Sequence, residues 1–105
     1  MLPRYKSPFV RFVKKQHRPL QLAIEGAVEE ICRKPQIGEA KSGDLLGFRV
    51  FKFTHKKQEY LVAYRPPTDQ EFRAQRDHRA AGMIDFYLAG THENFYSDLK
   101  NYLKS

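Results

Sequence analysis

Histidine, tyrosine and clustered basic side chains give this sequence the residue types needed to cleave a phosphodiester. His92 and Tyr96 lie four positions apart, at helical spacing, near the C-terminal end. Histidine titrates near neutral pH, so it can exchange a proton with a ribose hydroxyl or with a leaving oxygen. Lysine and arginine can stabilise the charge that builds on the phosphate, and tyrosine can stack on a base. Residues 49–65 supply the cations, with five Lys and Arg against one Glu.

Each of these side chains also has an ordinary structural interpretation. A histidine in the first turn of a helix is commonly a solvated surface residue, and His55 falls in a charged turn. Tyr96 follows Phe95 on an amphipathic helix and could belong to the core. Strand alternation places Arg49 and His55 on one face of a strand and Lys52 on the other. These residues therefore cannot all line one pocket, and the alternatives stay open on the residue types alone.

The sequence offers no set of metal ligands. The histidines and the single cysteine have no ligand spacing with one another; they are His17, Cys32, His55, His78 and His92. We therefore expect no metal and no other cofactor. One cysteine excludes an internal disulfide, and no segment approaches the roughly 20 apolar residues of a spanning helix. With no signal-peptide pattern either, we expect the chain in a reducing cytoplasm and not in a membrane.

The positive charge is unevenly distributed. The net charge is +7, and the first 24 residues contain six Lys and Arg and no acidic residue. Together with the basic block at 49–65, this distribution indicates a surface that faces a polyanion. Nucleic acid is favoured over an anionic protein partner.

Hydrophobic periodicity and turn residues predict an α+β fold, with an N-terminal helical hairpin packed on a small antiparallel sheet and a C-terminal helix. A chain of 105 residues fits one domain, 1–105. The pattern predicts helices from Ser7 to about His17 and from Pro19 to Arg33, strands at 47–54, 59–65 and 83–90, a short exposed helix within 68–82, and a final helix capped by Thr91.

Several segments follow one another in a distinctive order: Pro35-x-x-Gly38, the strand Gly47-Phe-Arg-Val-Phe-Lys-Phe, the return strand Glu59-Tyr-Leu-Val-Ala-Tyr, and Gly90-Thr-His-Glu-Asn-Phe-Tyr, which is the more specific part. Together with the predicted elements, these segments resemble the RelE/ParE superfamily of type II toxin–antitoxin toxins. The resemblance runs from about Phe9 to Lys100. That family opens with a strand, but only residues 1–6 precede the first predicted helix here, so we expect this strand to be short or absent. Residues 66–82 are longer than the usual link between the last strands.

The resemblance implies a toxin that a cognate antitoxin neutralises in a hetero-oligomer. It implies a metal-independent endoribonuclease that cleaves messenger RNA on the ribosome and so inhibits translation. His92 matches the family's acid/base histidine, Arg49 and Lys52 match its phosphate-holding residues, and Tyr96 is the candidate for positioning the substrate. The other candidate RNA-binding residues are Lys14, Lys15, Arg18, His55, Lys56, Lys57 and Arg65.

Two other functions remain open at the sequence level. The same fold serves inhibitors of DNA gyrase, which need no acid/base histidine. A catalytically inactive domain that binds only its antitoxin or RNA is the third possibility, because the most active members' lysines and arginines are not matched residue by residue. Residues 66–82, with Arg73, Arg76, His78 and Arg79, could contact RNA or shield a sheet edge.

Overall fold

The computed structural model describes residues 1–68 and 82–104 and begins with a short strand, followed by two helices, a run of four strands and a C-terminal helix. The α+β class is confirmed. In chain order the elements are β1 (Leu2–Tyr5), α1 (Ser7–Lys14), α2 (Arg18–Arg33), β2 (Glu39–Ala40), β3 (Arg49–His55), β4 (Gln58–Arg65), β5 (Met83–Gly90) and α3 (Phe95–Lys104). The helix predicted within 68–82 falls almost entirely outside the described residues.

The strands form one sheet in the order β1-β5-β4-β3-β2. Strands β2 to β5 pair antiparallel, as predicted, whereas β1 adds a parallel pair at the β5 edge. The opening strand is therefore present, and it is short at four residues. The sequence pattern left β1 as short or absent and did not predict the two-residue β2, because strands of this length carry no detectable alternation.

Prolines lie in the first turn of both N-terminal helices and just beyond the end of α2. A serine just before a proline predicts that the Ser7 hydroxyl caps the first helix. This prediction is wrong, because Ser7 is the first residue of α1 and no side chain caps the helix. Pro8 still favours the start, because a proline in the first turn sacrifices no helical hydrogen bond. Helix α1 ends at Lys14, earlier than His17. Helix α2 ends at Arg33, just before Pro35.

Both faces of the sheet are covered. Helices α1 and α2 pack on one face, in a cluster that includes Phe9, Ile24, Ile31, Tyr64 and Phe86. Helix α3 packs on the other face, in a cluster composed of Leu45, Phe48, Val50, Leu61, Ala63, Phe95 and Leu99. Strand β4 is consequently buried on both sides from residue 61 to 64, which explains its uninterrupted apolar run.

A β-bulge in β5 shapes the α3 face. Ala63 lies opposite Leu88 while Tyr64 lies opposite Phe86, so Tyr87 is the extra residue. The bulge turns Tyr87 and Leu88 toward the same face, where both pack against the α3 cluster. No helix among the described residues is both long and apolar enough to cross a membrane.

Candidate nucleic-acid site on the α3 face

The two basic residues predicted on β3 lie on opposite faces of the sheet. Lys52 is paired with Leu61, whose side chain belongs to the α3 cluster. Arg49 is paired with Tyr64, which packs against α2. Directly opposed residues of paired strands share a face, so Lys52 faces α3 and Arg49 faces α2. This is the alternation that the sequence predicts.

Arg49 holds a turn rather than joining His92. Its Nη1 donates to the carbonyl oxygens of Gln36, at 3.2 Å, and Gly38, at 2.7 Å. The buried Tyr64 hydroxyl completes the same contact by donating to the Pro35 carbonyl at 2.6 Å and accepting from the Gly38 N–H at 2.9 Å. A Cβ on Gly38 would stand 2.7 Å from that hydroxyl, so the close approach requires glycine. Arg49 is thus bonded to the turn after α2, on the far side of the sheet from Lys52.

His92 lies in the turn between β5 and α3, not in the first turn of the helix. Asn94 has φ of 61°, in the left-handed region, and α3 begins only at Phe95. The Asn94 carbonyl accepts the Ser97 hydroxyl at 3.1 Å and the Asp98 N–H at 2.9 Å. The predicted cap at Thr91 is therefore wrong, because the left-handed residue delays the helix by one turn. His92 itself is exposed.

His92 and Tyr96 nevertheless meet, as their spacing predicts. Their rings are 5.9 Å apart, in an edge-on arrangement. Tyr96 also contacts Phe95, at 5.3 Å between ring centroids, and Phe95 is fully buried. Tyr96 packs against the α3 cluster and is half-buried, so part of its side chain is exposed to solvent. It therefore combines the core role and the surface role that the sequence left as alternatives.

The sheet register brings Lys52 to the same end of the α3 face as His92. Lys52 lies opposite Leu61, and Leu61 lies opposite Gly90, the last residue of β5. Neighbouring strands are about 4.8 Å apart, so two strand spacings separate Lys52 from the end of β5. His92 follows that end by two residues. An exposed lysine and an exposed histidine thus stand at one edge of α3.

Lys41 joins this group and was missed in the sequence. Its Nζ lies 5.3 Å from the centre of the Tyr96 ring and 3.0 Å from Glu39 Oε1. The hydrogen bond to Glu39 raises the pKa of the Lys41 ammonium, and the neighbouring Tyr96 hydroxyl adds to this effect. Lys41 also lowers the pKa of the Glu39 carboxyl, with Lys52 as a smaller cause. Only the pairing of β2 with β3, which sequence patterns did not predict, places Lys41 here.

We refer to Lys41, Lys52, His92 and Tyr96 as the α3-face cluster. Its members come from the loop after β2, from β3, from the turn after β5 and from the first turn of α3. It combines two ammonium groups, an imidazole and an aromatic ring. This set can bind a phosphate, exchange a proton and contact a base. Among the described parts of the chain, no group of three His, Cys, Asp or Glu side chains could hold a metal ion.

Arg65 lies at the other end of the α3 face. Arg65 is paired with Asp85 of β5. It follows Leu61, the partner of Lys52, by four residues along β4. Asp85 is 8% exposed and accepts two hydrogen bonds from the Arg4 guanidinium. The Arg4 hydrogen bonds lower the pKa of the Asp85 carboxyl, with Lys6 and Arg65 as further causes. The structure thus separates Arg65 from His92.

The remaining predicted RNA-binding residues lie outside the cluster. Lys56 and Lys57 form the two-residue turn between β3 and β4, both exposed and both at positive φ, 48° and 69°. His55 precedes them and is half-buried. The others are exposed residues at the end of α1 and the start of α2, namely Lys14, Lys15 and Arg18.

Comparison with known proteins agrees with this architecture. A family model described as a ParE-like toxin of type II bacterial toxin–antitoxin systems matches residues 4–100. A chain of the intact E. coli RelBE toxin–antitoxin complex superposes with a TM-score of 0.61 at 12% identity, covering 88% of this chain and 96% of that one. The isolated E. coli RelE toxin superposes with a TM-score of 0.60 at 12% identity, and the superposition covers 97% of each chain. At this identity the structures indicate the shared fold. No curated protein sequence matches the chain.

Proposed function

This chain belongs to the ParE-like toxins of type II bacterial toxin–antitoxin systems, and on that premise we propose that it is an endoribonuclease that cleaves ribosome-bound messenger RNA. The observation that carries the proposal is the contact between His92 and Tyr96 at the edge of α3 where Lys52 also lies. An exposed imidazole against an aromatic ring, at the end of the sheet face that also carries an exposed lysine, has no evident role in stabilising the fold.

His92 acts in this proposal as the general acid or base. It takes the proton of the ribose 2′-hydroxyl or protonates the leaving 5′-oxygen, since imidazole exchanges protons near neutral pH. Lys52 stabilises the negative charge that builds on the phosphate. Tyr96 contacts the nucleotide and holds it against the imidazole. One of the two proton transfers is thereby assigned to a protein side chain, and the proposal invokes no cofactor.

The exposed basic residues outside the cluster dock the toxin on ribosomal RNA. Lys14, Lys15 and Arg18 form one basic site on the helices, and Lys56 and Lys57 form another at the hairpin turn. Contacts of this kind go to phosphates and weaken as salt rises. Action on the ribosome would place the protein in the cytoplasm. We further propose a cognate antitoxin as its partner, as in the E. coli RelBE complex, whose fold this chain shares.

Expression of the chain without an antitoxin tests this function. We expect growth arrest together with cuts in messenger RNA that follow the codon phase. His92→Ala should lower the cleavage rate by about 10²-fold or more, because one proton transfer loses its catalyst. The variant should keep its fold and its binding to antitoxin, since the His92 side chain is exposed.

His17→Ala is the matched control for this experiment. His17 is also exposed, and its side chain makes no capping hydrogen bond at the start of α2. It should retain full toxicity. A His92→Ala variant as toxic as the wild type would contradict the assignment of His92.

Inhibition of DNA gyrase is the second candidate function, because the matching family model is named for ParE. It predicts DNA damage with intact messages after expression. It also predicts that His92→Ala stays toxic, because binding to gyrase requires no proton transfer. The messenger RNA ends and a DNA-damage reporter, measured in the same culture, separate the two functions.

A further inference from the structure

Lys41 is held against the α3-face cluster by contacts on two sides. Its Nζ lies over the Tyr96 ring at 5.3 Å, and it donates to Glu39 Oε1 at 3.0 Å. Its side chain is only 20% exposed, against 66% for that of Glu39. The ammonium is therefore fixed in position, whereas the carboxylate that pairs with it is on the solvent side of the pair.

The backbone explains why Lys41 is rigid. Its N–H donates to the Phe48 carbonyl at 3.0 Å, and the two residues before it pair with Arg49 and Val50 of β3. Phe48 and Val50 are both buried beneath α3. The backbone of Lys41 is thus attached to a part of the sheet that is itself in the core. Lys41 is therefore already oriented toward Tyr96 before any ligand binds.

The charge around this pair is unbalanced. Glu39 pairs with Lys41 at 3.0 Å, and Lys52, a second cation on the same face, has only a small effect on that carboxylate. An anion that approaches from solvent meets Glu39 first and can exchange with it, because a phosphodiester offers the same oxygen acceptors. The Glu39 carboxylate then returns to water at small cost, since it is already largely exposed.

We propose that Lys41 is a phosphate-binding residue of the α3-face cluster, and that Glu39 is an internal anion which an RNA phosphodiester displaces from it. This inference rests on the proposed endoribonuclease function and assigns to Lys41 the second phosphate contact that the sequence assigned to Arg49. Tyr96 connects the two parts of the site, because its ring contacts both the Lys41 ammonium and the His92 imidazole.

The alternative is that Lys41 only fastens the loop after β2 to α3 through its cation–π contact. Variants of the pair distinguish the two roles. Lys41→Ala should lower kcat/KM for cleavage of ribosome-bound messenger RNA by about tenfold or more, and Lys41→Arg should recover most of the activity. Glu39→Gln should do the opposite and lower KM by a fewfold, because the phosphate no longer competes with a carboxylate. Lys34→Ala, at an exposed lysine just after α2, is the matched control.

Binding without cleavage supplies an independent readout. A 2′-O-methyl RNA tetranucleotide resists cleavage at the 2′-position, and its dissociation constant can be measured for each variant at several salt concentrations. Lys41→Ala should weaken binding and reduce the slope of log K against log salt by about 0.7, the value for one phosphate contact on a single strand. In wild type, the tetranucleotide should shift the side-chain NMR signals of Lys41 and His92 together.

The outcomes separate this inference from the function on which it rests. Wild type that cleaves and binds, with Lys41→Ala unchanged in both, overturns the role of Lys41 alone. Equal losses in Lys41→Ala and Lys41→Arg, each with a lowered melting temperature, also overturn it in favour of the fastening role. Wild type that binds the tetranucleotide through Lys41 but leaves messages intact on the ribosome overturns the nuclease and retains the phosphate site. Wild type that does neither overturns both.

Discussion

Arg49 and Lys52 lie three positions apart on β3 and face opposite sides of the sheet, so two side chains of the same charge have different surroundings. Arg49 donates to carbonyl oxygens in the turn after α2, where its positive charge completes a set of backbone hydrogen bonds around Tyr64. Lys52 is exposed on the α3 face, two strands away from the end of β5 that precedes His92. At the scale of single residues, the direction of a side chain decides its role more than its chemical type does.

This difference leads to opposite effects of substitution at the two positions. Arg49→Ala should lower the free energy of unfolding by about 1 kcal/mol, because it removes charged hydrogen bonds to two carbonyls. Lys52→Ala should leave that free energy within about 0.5 kcal/mol of wild type and lower the cleavage rate by about 10²-fold. Urea unfolding and a ribosome-dependent cleavage assay measure the two effects. Equal activity losses in both variants with no change in stability would contradict this division.

At the scale of elements, the hairpin of β3 and β4 combines a tight turn with residues that do not favour it. A two-residue turn with both φ values positive is the type that matches the twist of paired strands, and it prefers Asn-Gly. Here Lys56 and Lys57 occupy it, at φ of 48° and 69°. Each pays the steric cost of a left-handed conformation. Both lysines belong to the docking surface that we propose, so this strained turn presents two positive charges to solvent.

Replacement of the two lysines by Asn and Gly tests whether this turn lowers the stability of the fold and strengthens binding to the ribosome. The double variant Lys56→Asn, Lys57→Gly should raise the free energy of unfolding by about 1 kcal/mol, because the strain is relieved. It should also weaken ribosome binding and make it less sensitive to salt, because two phosphate contacts are lost. Chemical unfolding and sedimentation with ribosomes at two salt concentrations give both numbers. A variant that gains stability and binds ribosomes as tightly as wild type would exclude the turn from the docking surface.

At the scale of the whole molecule, β1 joins the N-terminal segment to the last strand of the sheet. It pairs in parallel with β5, some 80 residues away. Across that pair Arg4 binds the buried Asp85, which lies 81 residues later in the sequence. Asp85 is the one charged residue among the buried side chains of the described residues. Its carboxylate is stabilised chiefly by Arg4, which lowers its pKa.

This pair makes stability depend on pH in a defined direction. Asp85 has a lower pKa in the folded protein than in the unfolded chain, where it titrates near about 3.9. Its contribution is therefore complete above that pH and is lost as the pH falls through the lower, folded pKa. Asp85→Asn should cost about 1–2 kcal/mol at pH 7, a value reduced by the exposure of Arg4. The wild-type and variant free energies of unfolding, measured by urea titration, should converge below pH 4. Curves that remain parallel down to pH 3 would contradict this role of Asp85.

The long amphipathic or apolar segments of the fold could be predicted from sequence, and the short edge elements could not. Helix α2 and strands β3, β4 and β5 each bury a regular set of side chains, and their patterns follow from that burial. Strands β1 and β2 pair through their backbones and bury few side chains, so their residue types show no pattern that predicts a strand. The start of α3 was predicted too early, because Thr91 is a residue type that caps helices. In the structure Asn94 adopts a left-handed conformation, and the helix begins only after it.

The sequence by itself determined the α+β class, the family resemblance, the placement of positive charge in two blocks and the pairing of His92 with Tyr96. These features depend on residue type and local spacing, which the chain carries without folding. Only the tertiary structure decided that Lys41 belongs with His92 and Tyr96 while Arg49 and Arg65 do not. That decision depends on strand register and on which face each side chain occupies, and both are set by contacts between residues far apart in the chain.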